Sequence, residues 1–177
     1  MKDCRDQVRS ILANLGIPTE LIEKKSLVLC AEADELVIAA LGDDGREHRL
    51  APVAAAAWAT MSSAARSDAV IIKIASAFRS IDRQAQIVRG KLAQGLAVGA
   101  ILSASAPPGY SEHHTGRAID ITTHGVAPFA LEFEDTPAFA WLTANAARFG
   151  FVLSYPPGNP YGYQYEPWHW FYRADSG

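Results

Sequence analysis

Apolar residues recur at helical spacing in some stretches of the chain and as short unbroken runs in others. Over residues 3–15, Val8, Ile11, Leu12 and Leu15 share one helical face, and Gly16 and Pro18 stop the helix. Residues 27–30 and 36–41 are short apolar runs. Gly42-Asp43-Asp44-Gly45 is a turn signal, and residues 47–50 return as a hairpin partner. Pro52 opens an alanine-rich helix that carries Trp58 and Met61 inward. Residues 69–75 form a β-branched run that reads as a buried strand. Residues 81–94 read as a helix, with Ile81, Ala85, Val88 and Leu92 on one face and Gly95 as its stop. Pro107-Pro108-Gly109 marks a loop, and residues 118–122 a short strand. Thr136 and Pro137 are an N-cap and first helical residue, and that helix runs through Trp141, Leu142 and Ala146 to Gly150. Residues 151–154 and 168–172 are further strands, separated by a proline-rich loop at 156–160.

Strands linked by hairpins and mixed with helices favour an α+β fold, a mainly antiparallel sheet flanked by helices, over a doubly wound parallel sheet. No repeat, linker or low-complexity tract divides the chain. Residues 1–50 form an N-terminal helix and hairpin extension of unassigned role; residues 51–177 form the core of what is expected to be one compact domain.

Composition narrows the function. The 177 residues are 49% hydrophobic and 20% charged, which excludes disorder and coiled coil as global descriptions. A net charge of −3 without a long basic stretch excludes nucleic acid as the main partner. Cys4 and Cys30 cannot build a disulfide framework and are expected as two buried free thiols. The longest apolar stretch, 51–59, is too short to span a bilayer. The first ten residues mix charges and lack the apolar segment of a secretory signal. The expected location is therefore cytoplasmic, or periplasmic or cell-envelope where a leader was removed.

Candidate chemistry sits in two polar clusters, Ser111-Glu112-His113-His114-Thr115-Gly116-Arg117-Ala118-Ile119-Asp120 and Glu166-Pro167-Trp168-His169-Trp170. A catalytic zinc takes three protein ligands and leaves one position open. His113, Asp120 and His169 supply two imidazoles and one carboxylate, and Gly116 permits the turn that returns His113 toward the strand carrying Asp120. Such a centre also needs a base not tied to the metal. Glu166, held to His169 through the stiff Pro167, is that candidate. Arg79 stands where a buried strand meets a helix, a position from which a guanidinium clamps a carboxylate or polarises a carbonyl.

These residues resemble the VanY-type D-alanyl-D-alanine carboxypeptidases of the LAS superfamily of zinc peptidases. The resemblance rests on the Phe78-Arg79-Ser80 to Gln84 element, on SEHHTGRAIDI within 107–121, on WLTANAARFGFVLSYP over 141–156, and on Tyr165-Glu166-Pro167-Trp168-His169-Trp170. It covers about residues 52–173 and implies a small LAS/hedgehog-like fold around an antiparallel sheet. It implies one Zn²⁺ per chain on His113, Asp120 and His169, a general base at Glu166, and substrate contacts at Arg79, Gln84 and Ser111. The implied substrate is a peptidoglycan stem peptide or muropeptide, cut at its C-terminal bond. An LD-carboxypeptidase, a D-Ala-D-Ala dipeptidase or an L-Ala-D-Glu endopeptidase has the same metal centre. A reading from another class is a non-catalytic module that grips wall peptides, against which an unligated Glu166 argues. Position 78 is Phe where such proteins often carry Tyr.

The remaining polar and aromatic residues read as bystanders. Glu112 is expected to be solvated, and His114 to point away from His113 into solvent. His48 and His124 read as surface residues. Trp168 and Trp170 share a strand face opposite His169 and are both expected in the core rather than as a ligand platform, with Trp168 able to edge the cleft. Tyr155, Tyr161 and Tyr163 flank the proline-rich loop, as groove lining or as loop packing.

Overall fold

The computed structural model describes residues 4–25 and 27–173. Helix α1 (Cys4–Asn14) buries Val8 and Leu12 and gives way to Gly16, at φ 65°. Asp3, where the helix was expected to begin, lies outside the described residues. A six-residue helix, α2 (Thr19–Lys24), follows and buries Ile22; its length is below what periodicity resolves. Strands β1 (Val37–Leu41) and β2 (Glu47–Leu50) make the expected antiparallel hairpin around the 42–45 turn. The run at 27–30 forms no strand. Its Cys30 N–H instead donates to the Gly109 carbonyl at 2.8 Å, tying this segment to the loop before the site.

Helix α3 (Pro52–Ser67) buries Trp58 and Met61 as expected. The strand expected at 69–75 is shorter, because the end of α3 claims its first residues. Ala69 adopts φ 59°, its N–H bonds the Arg66 carbonyl at 3.0 Å, and the Val70 N–H reaches back to Ala65 at 2.8 Å. That pair of bonds is a Schellman cap without glycine. Strand β3 (Lys73–Ser76) begins only after it. Helix α4 (Ile81–Ala93) starts at Ser80, whose hydroxyl accepts from the Arg83 N–H. Helix α5 (Val98–Ala104), absent from the sequence reading, buries Ile101 and Leu102. Strand β4 (Ala118–Thr122), helix α6 (Pro137–Asn145) with Thr136 as N-cap, β5 (Phe151–Leu153) and β6 (His169–Tyr172) complete the chain.

The main sheet has the order β3-β4-β6-β5 with every pairing antiparallel. Ile119 pairs with Trp170, and Asp120 with His169. Strand side chains alternate between faces, so this register sends the two pairs to opposite sides of the sheet. Ile119, Ile121 and Trp170 enter the main core with Trp58 and Met61 of α3, Leu142 of α6, Phe133 and Phe151. Each such large side chain contributes about 1.5–3 kcal/mol on burial. A second core joins Val8, Leu12, Ile17 and Ile22 to Ile81, Ala85 and Val88 of α4 and to Ile101 and Leu102 of α5. A cleft opens with Asp120 and His169 of the sheet on one side and α4 on the other.

Candidate metal centre

The register of β4 and β6 places Asp120 and His169 side by side, and a turn delivers His113. Residues Glu112–Thr115 wind into one 3₁₀ turn that ends at Gly116, in the left-handed region at φ 65°. A Cβ at Gly116 would lie 2.8 Å from the Ala51 backbone nitrogen. Both the dihedral and the space therefore demand glycine. Gly116→Ala is expected to cost about 2 kcal/mol from the left-handed backbone and the contact together, lowering Tm by roughly 4–8 °C. Thermal melts of the two proteins measure it; an unchanged Tm would mean the turn relaxes freely.

Backbone groups from distant segments lock the turn. The His113 Nδ1–H donates to the Ala77 carbonyl at 2.7 Å, and the Arg79 N–H donates to the His113 carbonyl at 3.2 Å. His114 is fully buried, which corrects the expectation of solvent exposure. Its Nδ1–H donates to the Arg79 carbonyl at 2.6 Å, and its Nε2 accepts from the Gly109 N–H at 3.1 Å. His114 thus staples the site loop to the β3–α4 junction, where no metal reaches it. The 3₁₀ turn, unlike an extended strand, sends both His113 and His114 inward.

One ligand atom from each of His113, Asp120 and His169 lies within 4.8 Å of the other two, and all three residues are buried. The Asp120 carboxylate bridges the imidazoles: Oδ2 is 3.0 Å from His113 Nε2, and Oδ1 is 2.9 Å from His169 Nδ1. Among the described residues this is the one cluster of its kind. Two imidazoles and one carboxylate with ligand atoms this close fit the donor set of a catalytic zinc. Burial pulls the His113 pKa down to about 4, against the opposing pull of Asp120, and keeps that ring neutral. Burial also opposes charge on His169, but its hydrogen bonds to Asp120 and Glu112 prevail and push it up to about 10. Asp120 is held well below the usual carboxylate range: burial would raise it, and both histidines overrule that. A metal entering here displaces the proton shared by Asp120 and His169, so uptake releases protons.

Glu166 stands beside the cluster and outside it, with Oε2 4.0 Å from His169 Nδ1 and its side chain 17% exposed. Burial lifts its carboxyl to about 7, against the pull of His169 and Arg79. Arg79 lines the same cleft. Burial lowers its pKa, Asp120, Glu166 and Tyr155 counter that, and its Nε is buried without a partner. Gln84 is almost fully buried. Its Nε2 donates to the Ala106 carbonyl, while its Oε1 has no partner. Ser111 is buried in the cleft wall. The structure thus brings all the sequence-derived site residues into one cleft of about 280 Å³.

Other residues fall differently from expectation. Glu112 is no solvated bystander: its Oε2 lies 2.9 Å from His169 Nε2 and its side chain is 16% exposed. His48 is buried, 7% exposed, because the alternation of β2 turns His48 and Leu50 inward. His124 is exposed as expected. Trp170 is core and Trp168 edges the cleft, where Phe129 meets it edge to face at 6.2 Å. Tyr155 stacks on His169 at 4.4 Å and 9°, and Tyr163 lines the cleft. Phe78 lies in the adjoining groove with Arg49 and Arg83. Cys4 and Cys30 are free, but partly exposed rather than buried.

A His–Asp–His cluster on the open face of a small antiparallel sheet, with a spare carboxyl beside it, is what the resemblance to the LAS-type peptidases implies. The family profile described as VanY: D-alanyl-D-alanine carboxypeptidase matches residues 47–175, and the chain belongs to that family. A D-alanyl-D-alanine carboxypeptidase of Enterococcus faecalis is 35% identical over 119 residues, covering 62% of this chain and 42% of that protein. The chain spans less than half the length of the curated relatives it matches. Among solved structures, the LdcB LD-carboxypeptidase superposes with a TM-score of 0.74 at 31% identity, covering 82% of this chain and 71% of that one. A VanY D,D-pentapeptidase from a VanB-type vancomycin-resistance cassette, in complex with Zn(II), gives 0.62 at 30% identity, covering 84% and 88%.

Proposed function

We propose that the protein is a zinc-dependent D-alanyl-D-alanine carboxypeptidase that hydrolyses the C-terminal peptide bond of peptidoglycan stem peptides. The observation that carries the reading is Glu166, a partly buried carboxyl next to a His–Asp–His cluster yet outside it. A purely structural metal has no use for such a group. His113, Asp120 and His169 would hold one Zn²⁺ per chain. Bound there, Zn²⁺ supplies Lewis acidity toward a water and toward the scissile carbonyl.

Glu166 takes a proton from the attacking water as its oxygen bonds to the carbonyl carbon. It then delivers that proton to the amine nitrogen as the carbon–nitrogen bond breaks. A carboxyl near pKa 7 suits both transfers at neutral pH. Arg79, with an unpaired Nε and no acid among the described residues within ion-pair distance, meets the charge that develops on the carbonyl oxygen. Gln84 Oε1 accepts a substrate N–H, and Ser111 adds a hydroxyl from the same cleft. Arg79→Lys keeps the charge and loses the planar fork. It is expected to lower kcat/KM by about 10- to 100-fold with Tm unchanged; near-normal kinetics would remove Arg79 from the mechanism.

A second reading, LD-carboxypeptidase, is favoured by the 0.74 superposition on LdcB. Mass spectrometry of products from a pentapeptide, a tetrapeptide and free D-Ala-D-Ala separates the two. The proposal expects the pentapeptide to lose one D-alanine and the others to survive. Cleavage of the tetrapeptide alone installs the second reading, cleavage of the dipeptide alone a dipeptidase, and no cleavage of any overturns peptidase action. Among the described residues no helix is long and apolar enough to cross a membrane. We assign action on wall peptides to the periplasm or envelope where a leader precedes the chain, and otherwise to the cytoplasm.

A further inference from the structure

We propose that Glu112 is the positioning residue of the metal centre, acting through His169. The inference rests on the metal-binding part of the reading above and not on the identity of the substrate. The two candidate imidazoles use opposite ring atoms. His113 turns Nε2 to Asp120 and anchors Nδ1–H on a backbone carbonyl. His169 turns Nδ1 to Asp120 and Glu166, which leaves Nε2 on the far side of the ring, away from the cluster. There Glu112 Oε2 meets it at 2.9 Å.

This contact does for His169 what the Ala77 carbonyl does for His113, but with a charged acceptor. A carboxylate behind an imidazole fixes the proton on the far nitrogen, leaves the near lone pair free for a metal, and raises its basicity. Ring rotation is closed off as well. Tyr155 lies parallel to His169 at 4.4 Å, so the imidazole is held in plane by stacking and along its axis by Glu112. The chain reaches this geometry because Glu112 opens the same 3₁₀ turn that carries His113. One turn therefore supplies a ligand directly and the support of another ligand 57 residues away.

Glu112 touches neither the cleft's substrate space nor the cluster's convergence point, since the cavity is lined by Ser111 and His113 but not by Glu112. Its role is separable from catalysis and is read by metal affinity. The experiment titrates Zn²⁺ against a chromophoric chelator in the full chain, for the wild type, Glu112→Gln and Glu112→Ala. In parallel, ¹H and ¹⁵N chemical shifts of the His169 ring are recorded in the zinc-loaded proteins. Expected are a loss of zinc affinity of about 10- to 100-fold for Glu112→Ala and a smaller loss for Glu112→Gln, which keeps an acceptor oxygen without the charge. The His169 Nε2–H, held by a carboxylate in the wild-type zinc complex, is expected to shift upfield and to exchange faster with water in the Glu112→Ala complex. Wild-type affinity in both variants overturns the proposal, as does an unchanged Nε2–H resonance in the Glu112→Ala complex. If the wild type itself takes up no zinc, the metal reading fails instead, which is a different result. Loss of affinity with a collapsed Tm would mark a merely structural contact and also count against the proposal.

Discussion

Replacing Glu166 with alanine is expected to lower kcat about 1,000-fold while zinc stays bound at one ion per chain. General acid–base groups contribute about 10²- to 10⁴-fold, and Glu166 is asked to serve twice in one turnover, taking a proton and giving it back. Metal retention follows from geometry. Glu166 lies beyond the triangle of His113, Asp120 and His169, and none of those three side chains hydrogen-bonds its carboxylate. The bond from the His169 backbone N–H goes to the Glu166 backbone carbonyl, which alanine keeps. Stability should not suffer either, because removing a carboxyl whose ionisation burial already opposes costs the fold little. The assay is D-alanine release at saturating substrate alongside metal analysis of the purified variant. An unchanged turnover number would exclude Glu166 as the base. Loss of zinc together with activity would make it a ligand rather than a base.

Asp120→Asn is expected to act on the other half of the site. The substitution preserves shape but removes the charge that faces both imidazoles. Zinc affinity should fall roughly 1,000-fold or more, and activity should fall with it at micromolar zinc. The metal-free protein should also respond. His169 is pushed up to about 10 largely through its bonds to Asp120 and Glu112. With a neutral amide in place of Asp120, that ring should titrate at lower pH, which histidine NMR resonances report. Zinc binding at wild-type strength would move the centre elsewhere.

The candidate ligands were legible in the sequence and their surroundings were not. His113, Asp120, Glu166 and His169 lie in short motifs whose chemistry is local. The pairing of two distant stretches followed from donor type and spacing. Strand β4 and the hairpin were legible because alternation and a Gly-Asp-Asp-Gly turn are themselves local signals. His114 was misread because its partners, the Arg79 carbonyl and the Gly109 N–H, belong to segments that only the fold brings near. Glu112 was misread for the same reason: its partner lies 57 residues away, and an acid beside a ligand looks solvated when the turn is taken as extended. His48 was within reach. Glu47, His48, Arg49 and Leu50 alternate, and placing Leu50 inside puts His48 inside with it. Helices α2 and α5 escaped because six or seven residues carry too little periodicity to separate helix from loop. At residue 69 a capping motif took over a strand signal, a case of local hydrogen bonding overruling β propensity.

The family match begins at residue 47, the first residue of β2, but the physical unit does not. The Ala33 N–H donates to the His114 carbonyl at 2.9 Å, Glu32 accepts from the first amide of α4, and Leu36 packs against Gly116. A fragment trimmed to the match would retain every candidate ligand yet begin with an orphaned half-hairpin, its ladder edge open to other chains. It would also lose the strap that holds the histidine turn from behind. The smallest piece that inherits the chemistry by homology is therefore smaller than the smallest piece that holds it still.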